Sequence, residues 1–148
     1  MDVRSVLDAP CSPDELFRHV EVLDGYPEWM SLVHDARPIA PALDPPAWDV
    51  QLRARLGPLA RSKRLRMVRS HHDAPAHAVT FERAEDDGRS HSPWVLDAEI
   101  TETSGGCQLL VRLHYGGGLW TGALLERTLS EQIEAGRERL LRLVSSTR

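Results

Sequence analysis

Residues 119–144 restrict the possible fold more than any other part of the chain. Apolar or small residues recur at Leu125, Leu129, Ile133, Gly136, Leu140 and Val144, and this spacing sets them on one face of a helix. Arg127, Glu131, Glu134, Glu138 and Arg142 fill much of the opposite face, with Glu138 and Arg142 a well-oriented i,i+4 pair. A helix this long with a single apolar stripe must lay that stripe on another layer. Gly136 lies on the stripe, where glycine costs about 1 kcal/mol relative to alanine. Its position predicts close approach by another backbone or by a ligand.

The residues before this helix supply the other layer. Residues 3–8 read as a first strand. Ser12-Pro13-Asp14-Glu15 is a helix start, with Ser12 as N-cap, Pro13 at N1 and Glu15 closing a capping box. Leu16, Phe17, Val20 and Leu23 form the buried face of this first helix, which Asp24-Gly25 ends. A second short helix starts at Tyr26-Pro27-Glu28-Trp29-Met30, with Trp29, Leu32, Val33 and Ala36 on one side. The period then changes to two. Residues 38–43 are a weak edge strand, because Pro38 and Pro41 cannot donate to a ladder. Trp48, Val50, Leu52, Ala54 and Leu56 alternate with polar residues, and Gly57-Pro58 turns the chain into a strand over residues 59–69.

His71-His72-Asp73-Ala74-Pro75 reads as a loop. The next strand carries His77, Val79, Phe81 and Arg83 on one side, and Asp86-Asp87-Gly88 makes its turn. Trp94, Leu96, Ala98 and Ile100 face inward on the following strand. After Ser104-Gly105-Gly106, Leu109, Val111, Leu113 and Tyr115 line the last one. Pairing across the two turns predicts Phe81 opposite Trp94, Trp94 opposite Tyr115, Leu96 opposite Leu113 and Ala98 opposite Val111. Phe81, Trp94 and Tyr115 would then form one aromatic rung.

With 148 residues the chain makes one domain, large enough for a core without staples. Its net charge of −4 gives no reason to expect nucleic acid or anionic membrane as a partner. No apolar run is long enough to span a bilayer, and Met1 is followed by strand-like sequence instead of a signal peptide. Cys11 and Cys107 are read as reduced thiols, and the expected compartment is the cytoplasm.

The order of strand, two short helices, about six antiparallel strands and one long helix supports a resemblance. So do three junctions: Asp8-Ala9-Pro10, Asp24-Gly25-Tyr26-Pro27-Glu28-Trp29 and Tyr115-Gly116-Gly117. The chain resembles the START-like helix-grip superfamily, also called SRPBCC or Bet v 1-like. Within it the chain is most similar to the polyketide cyclase/dehydrase and lipid-transport group of small bacterial proteins. The resemblance covers nearly the whole chain, through structural junctions instead of catalytic signatures. It implies a single α+β domain over residues 1–148. A curved antiparallel sheet of about six to seven strands would wrap the C-terminal helix, with an apolar cavity between them.

The residues expected to line that cavity are Trp29, Trp48, Met67, Phe81, Trp94, Leu96, Leu113, Trp120 and Leu124, although the same residues could be packed core. Tyr115 shares their face. His77, Arg83, Arg61 and Lys63 have inward parity and suit either the rim or the orientation of a ligand carbonyl or carboxylate. His77, Arg83 and Tyr115 are the candidates for proton transfer.

A metal reading of His71, His72, Asp73, His77 and His91 fails on spacing, since adjacent histidines diverge and Pro75 interrupts. The basic run over residues 61–69 alternates as a strand without interleaved aromatics, so no nucleic acid is expected there. No cofactor is expected, because no phosphate-binding loop is present. The functional expectation is therefore sequestration of a hydrophobic small molecule such as a polyketide-like aromatic, a lipid or an isoprenoid. A polyketide aromatase/cyclase or dehydratase is the enzymatic alternative, and a docking module the third. A homodimer is compatible with each, and stable membrane insertion is not expected.

Overall fold

The computed structural model describes residues 2–40, 44–56, 58–116 and 123–146, without the side chains at 56, 123–125, 129 and 146. The elements in order are β1 (Asp2–Ala9), α1 (Pro13–Phe17), a 3-10 segment (Leu23–Glu28), β2 (Val33–Pro38), β3 (Ala47–Leu56), β4 (Leu59–Asp73), β5 (Ala78–Arg83), β6 (Trp94–Thr103), β7 (Gly106–Tyr115) and α2 (Ala123–Ser146). The strands form one antiparallel sheet in the order β1-β7-β6-β5-β4-β3-β2. This sheet curls into a half-barrel around α2. Alternate residues of each strand turn inward, and Val3, Leu7, Val50, Leu52, Leu65, Val79, Leu109 and Val111 are buried there. Ile133, Gly136, Leu140 and Val144 of α2 are buried against them. The expected stripe is thus the packed one, while Leu125 and Leu129 lie outside the described side chains.

Three sequence readings are corrected. The helical spacing of Trp29, Leu32, Val33 and Ala36 belongs to no second α-helix: the 3-10 segment ends at Glu28 and Val33 opens β2. A bulge between Val33 and Asp35 adds one residue to β2, so its inward residues Val33 and Ala36 fall three apart. That spacing imitates a helix. The edge strand is accordingly β2 and not residues 38–43, of which 41–43 lie outside the described residues.

The second correction concerns β4, which continues through His71-His72-Asp73 instead of looping. Backbone pairing with Thr80, Val79 and Ala78 holds this polar end in the ladder, across a bulge between Arg69 and His71. Thirdly, Phe81 pairs with Leu96 and not with Trp94. The connection from β5 to β6 spans residues 84–93, and it begins by staying on β4, where Ala84 donates its N–H to the Arg66 carbonyl at 2.9 Å. The slip is two residues, so Val79, Phe81 and Arg83 keep their expected face. The expected pairs Trp94–Tyr115, Leu96–Leu113 and Ala98–Val111 are present.

The helical start at Ser12 is formed as read. Ser12 Oγ accepts the Glu15 N–H at 3.2 Å, and the Glu15 carboxylate accepts the Ser12 N–H at 3.4 Å. The helix itself stops at Phe17. Leu16, Phe17, Val20 and Leu23 are nonetheless all buried. Hydrogen bonds tie this bent segment to the sheet: Trp48 Nε1 donates to Asp24 at 2.8 Å, and Arg69 donates to the Glu21 carbonyl at 2.8 Å.

Candidate functional site

An apolar void lies between the concave face of the sheet, the 3-10 segment and α2. Met67, Trp94, Leu96 and Leu113 line it from the strands, as the sequence reading expects. Leu23, Met30, Leu32, Val33, Val50, Leu52, Leu65 and Ile133 complete the lining among the described residues. Inward parity marks Val50, Leu52 and Leu65 in the sequence. Nothing there ranks them above any other core position.

The void offers about 30 Å³, room for roughly two waters. Among the described residues, no lining side chain carries an oxygen and the Trp94 indole holds the only nitrogen, too few partners to keep a water. Pockets for drug-sized ligands run to about 300 Å³ and more. A guest therefore enters only if the lining yields. Met30 and Met67 are the side chains best suited to yield, since an unbranched thioether repacks at low cost.

Trp29, Trp48 and Phe81 are buried outside this lining, in an aromatic cluster with Tyr26. Tyr26 packs on Trp29 with ring centroids 4.9 Å apart, and Phe81 meets Tyr26 and Trp48 edge-on at 5.9 and 5.5 Å. The Tyr26 hydroxyl donates to the Val20 carbonyl at 2.8 Å, and its complete burial pushes its pKa up. Trp120 and the Leu124 side chain lie outside the described residues.

The three proton-transfer candidates are not brought together. His77 is not on the strand as expected but in the turn before β5, where φ +53° takes it off the alternating face, with its Nε2 2.7 Å from the Asp14 carboxylate and its ring edge-on to Phe17. Its partners belong to α1, remote in sequence, so no motif announces them. Arg83 donates from Nε to Glu85 at 2.9 Å and from Nη1 to the Ser92 carbonyl at 3.3 Å. Tyr115 is buried and stacks on Trp94 with centroids 4.9 Å apart. Burial first, and then the Glu126 carboxylate, raise its pKa, so the phenol stays protonated at neutral pH. Of the three, Tyr115 is the one whose ring packs on a residue lining the void.

Lys63 and Arg61 have inward parity on β4 and are half-buried. His72 Nε2 lies 3.5 Å from Glu21, and His91 pairs with Asp87 at 2.8 Å. Among the described residues no group of three or more His, Cys, Asp or Glu side chains is placed to hold a metal ion. Cys11 and Cys107 are free thiols, as read, and the fold brings their sulfurs to 4.0 Å, both buried. Burial, with Cys11 next, raises the Cys107 pKa to about 12. Among the described residues no helix is long and apolar enough to cross a membrane.

No protein-family model and no curated protein matches the chain. Solved structures do. A protein of Thermus thermophilus is similar at TM-score 0.76 and 16% identity, covering 99% of both chains. A START superfamily protein from Mycobacterium smegmatis matches at TM-score 0.71 and 14% identity over 99% of both. An aromatase/cyclase from a Streptomyces species matches at 0.70 and 9%, over 100% of this chain and 96% of the other. The chain therefore shares the helix-grip fold of these structures.

Proposed function

We propose that this helix-grip chain binds a hydrophobic small molecule between its sheet and α2. The observation carrying this reading is the dry void roofed by Ile133, flanked by Met30 and Met67 and walled by Trp94. Apolar enclosure supplies the affinity, about 25 cal/mol for each Å² removed from water. That gain must exceed the cost of parting the lining, which favours guests with a narrow apolar portion.

Binding is supported ahead of proton transfer. Among the described residues, no side chain lining the void gains or loses a proton near neutral pH. His77 faces Asp14, and Arg83 is engaged by Glu85. Native mass spectrometry of freshly purified protein tests the reading. The expected result is an adduct that solvent extraction removes and that a neutral apolar probe, N-phenyl-1-naphthylamine, replaces. Protein that carries no adduct and takes up no probe would overturn it.

A further inference from the structure

The void has a charged margin. Pairing between β5 and β6 ends at Glu82–Val95, so Arg83 and Trp94 come next at the same end of that ladder. Arg83 also lies opposite Met67 on β4. Lys63 keeps the inward parity of Leu65 and Met67 and pairs with Leu52 on β3. Trp94, Met67, Leu65 and Leu52 all line the void. Two cationic side chains thus border the apolar lining, on the same face of the sheet.

Among the described residues, one carboxylate serves these two cations. Glu85 is the carboxylate that interacts with both, and it is already engaged: its Oε1 accepts from Arg83 Nε at 2.9 Å and from the Arg66 N–H at 3.1 Å. Arg83 and Glu85 are only 10% and 17% exposed, so this pair has lost most of its water. Lys63 forms no ion pair among the described residues. Burial first, and then the Arg83 charge, pull its pKa down, with Glu85 opposing. A partly desolvated ammonium with a guanidinium for a neighbour gains from a further anion.

We infer that the guest is an amphiphile, its apolar tail in the void and a carboxylate head at Lys63 beside Arg83. This rests on the small-molecule reading above. A carboxylate there would accept charge-assisted hydrogen bonds from the ammonium and offset the excess positive charge. A neutral head would leave that excess in place.

Competition against N-phenyl-1-naphthylamine on the full chain separates the two claims, with dodecanoate and dodecan-1-ol as competitors of equal chain length. The expected result is dodecanoate binding roughly tenfold more tightly than the alcohol, a preference that salt reduces. Lys63→Met should abolish that preference by weakening dodecanoate binding to the level of the alcohol or below. Because Lys63 is the chain's only lysine, isotope-labelled lysine reports it directly. Its titration should move to higher pH when dodecanoate binds. Equal affinity for the two competitors would overturn the carboxylate inference and leave apolar binding intact. A preference that survives Lys63→Met would overturn the role of Lys63. Failure of both competitors to bind would overturn the underlying reading as well.

Discussion

Gly136 of α2 lies directly against the main-chain carbonyl of Trp29: a Cβ built at this glycine would run into that oxygen. The contact seats the long helix on the segment after α1 and fixes how near α2 comes to the sheet. Gly136→Ala gains about 1 kcal/mol of helix propensity, yet it forces a shift between two packed backbones. The expected net effect is a loss of about 1–3 kcal/mol in urea unfolding. A stabilised variant would show that the helix can lift from Trp29 freely.

Ile133 is fully buried and roofs the void. Ile133→Ala should cost about 2–5 kcal/mol of stability while enlarging the space. The same variant should bind a neutral apolar probe more tightly than the parent, because less of the lining must part. Weaker probe binding, measured by fluorescence titration on the folded variant, would place the guest elsewhere.

His77 and Asp14 form a close pair at the surface, the aspartate side chain 84% exposed. A pair this open to solvent contributes about 0–1 kcal/mol. His77→Ala also removes the edge-on contact with Phe17 and places at the positive φ a residue less suited to it than histidine. Stability should fall by about 1–2 kcal/mol, and affinity for an apolar guest should stay within about twofold. A loss of affinity of tenfold or more would bring His77 into the site.

Alkaline pH should weaken the fold. Burial raises the pKa values of Cys107, Tyr26 and Tyr115, so the folded chain holds these protons after the unfolded chain has released its own. For Cys107 the stabilisation is complete below the model-peptide value of 9.0 and is lost as pH climbs toward about 12. Urea midpoints should therefore hold up to about pH 8 and drop as pH rises from about 9 toward about 12. Cys107→Ala should flatten part of that slope. A midpoint independent of pH across this range would contradict the burial of these groups.

Most of the fold was legible because period-two alternation fixes faces. Trp94–Tyr115 and Leu96–Leu113 paired as read, and the Ser12–Glu15 cap formed from four consecutive residues. Features set by long-range contacts were not legible. The β2 bulge gave Val33 and Ala36 a helical spacing. The polar end of β4 pairs through its backbone, a signal that side-chain hydropathy does not carry. Gly136 announced a close approach, and only the fold shows that Trp29 makes it. For the site, inward parity picked out Met67, Trp94, Leu96 and Leu113. Parity alone cannot divide a face into void and packed core, which is why Trp48 and Phe81 were grouped with them. Asp14 stands 63 residues from His77, so no local pattern joins them.

The most direct test of a guest between sheet and helix is methyl-detected NMR of the full chain titrated with dodecan-1-ol. The account predicts shifts concentrated at Leu52, Leu65, Met67, Leu96, Leu113 and Ile133, with the exposed methyls of Val6 and Leu59 unmoved. Shifts confined to Val6, Leu59 or other exposed methyls, with the buried set unchanged at saturating alcohol, would contradict it.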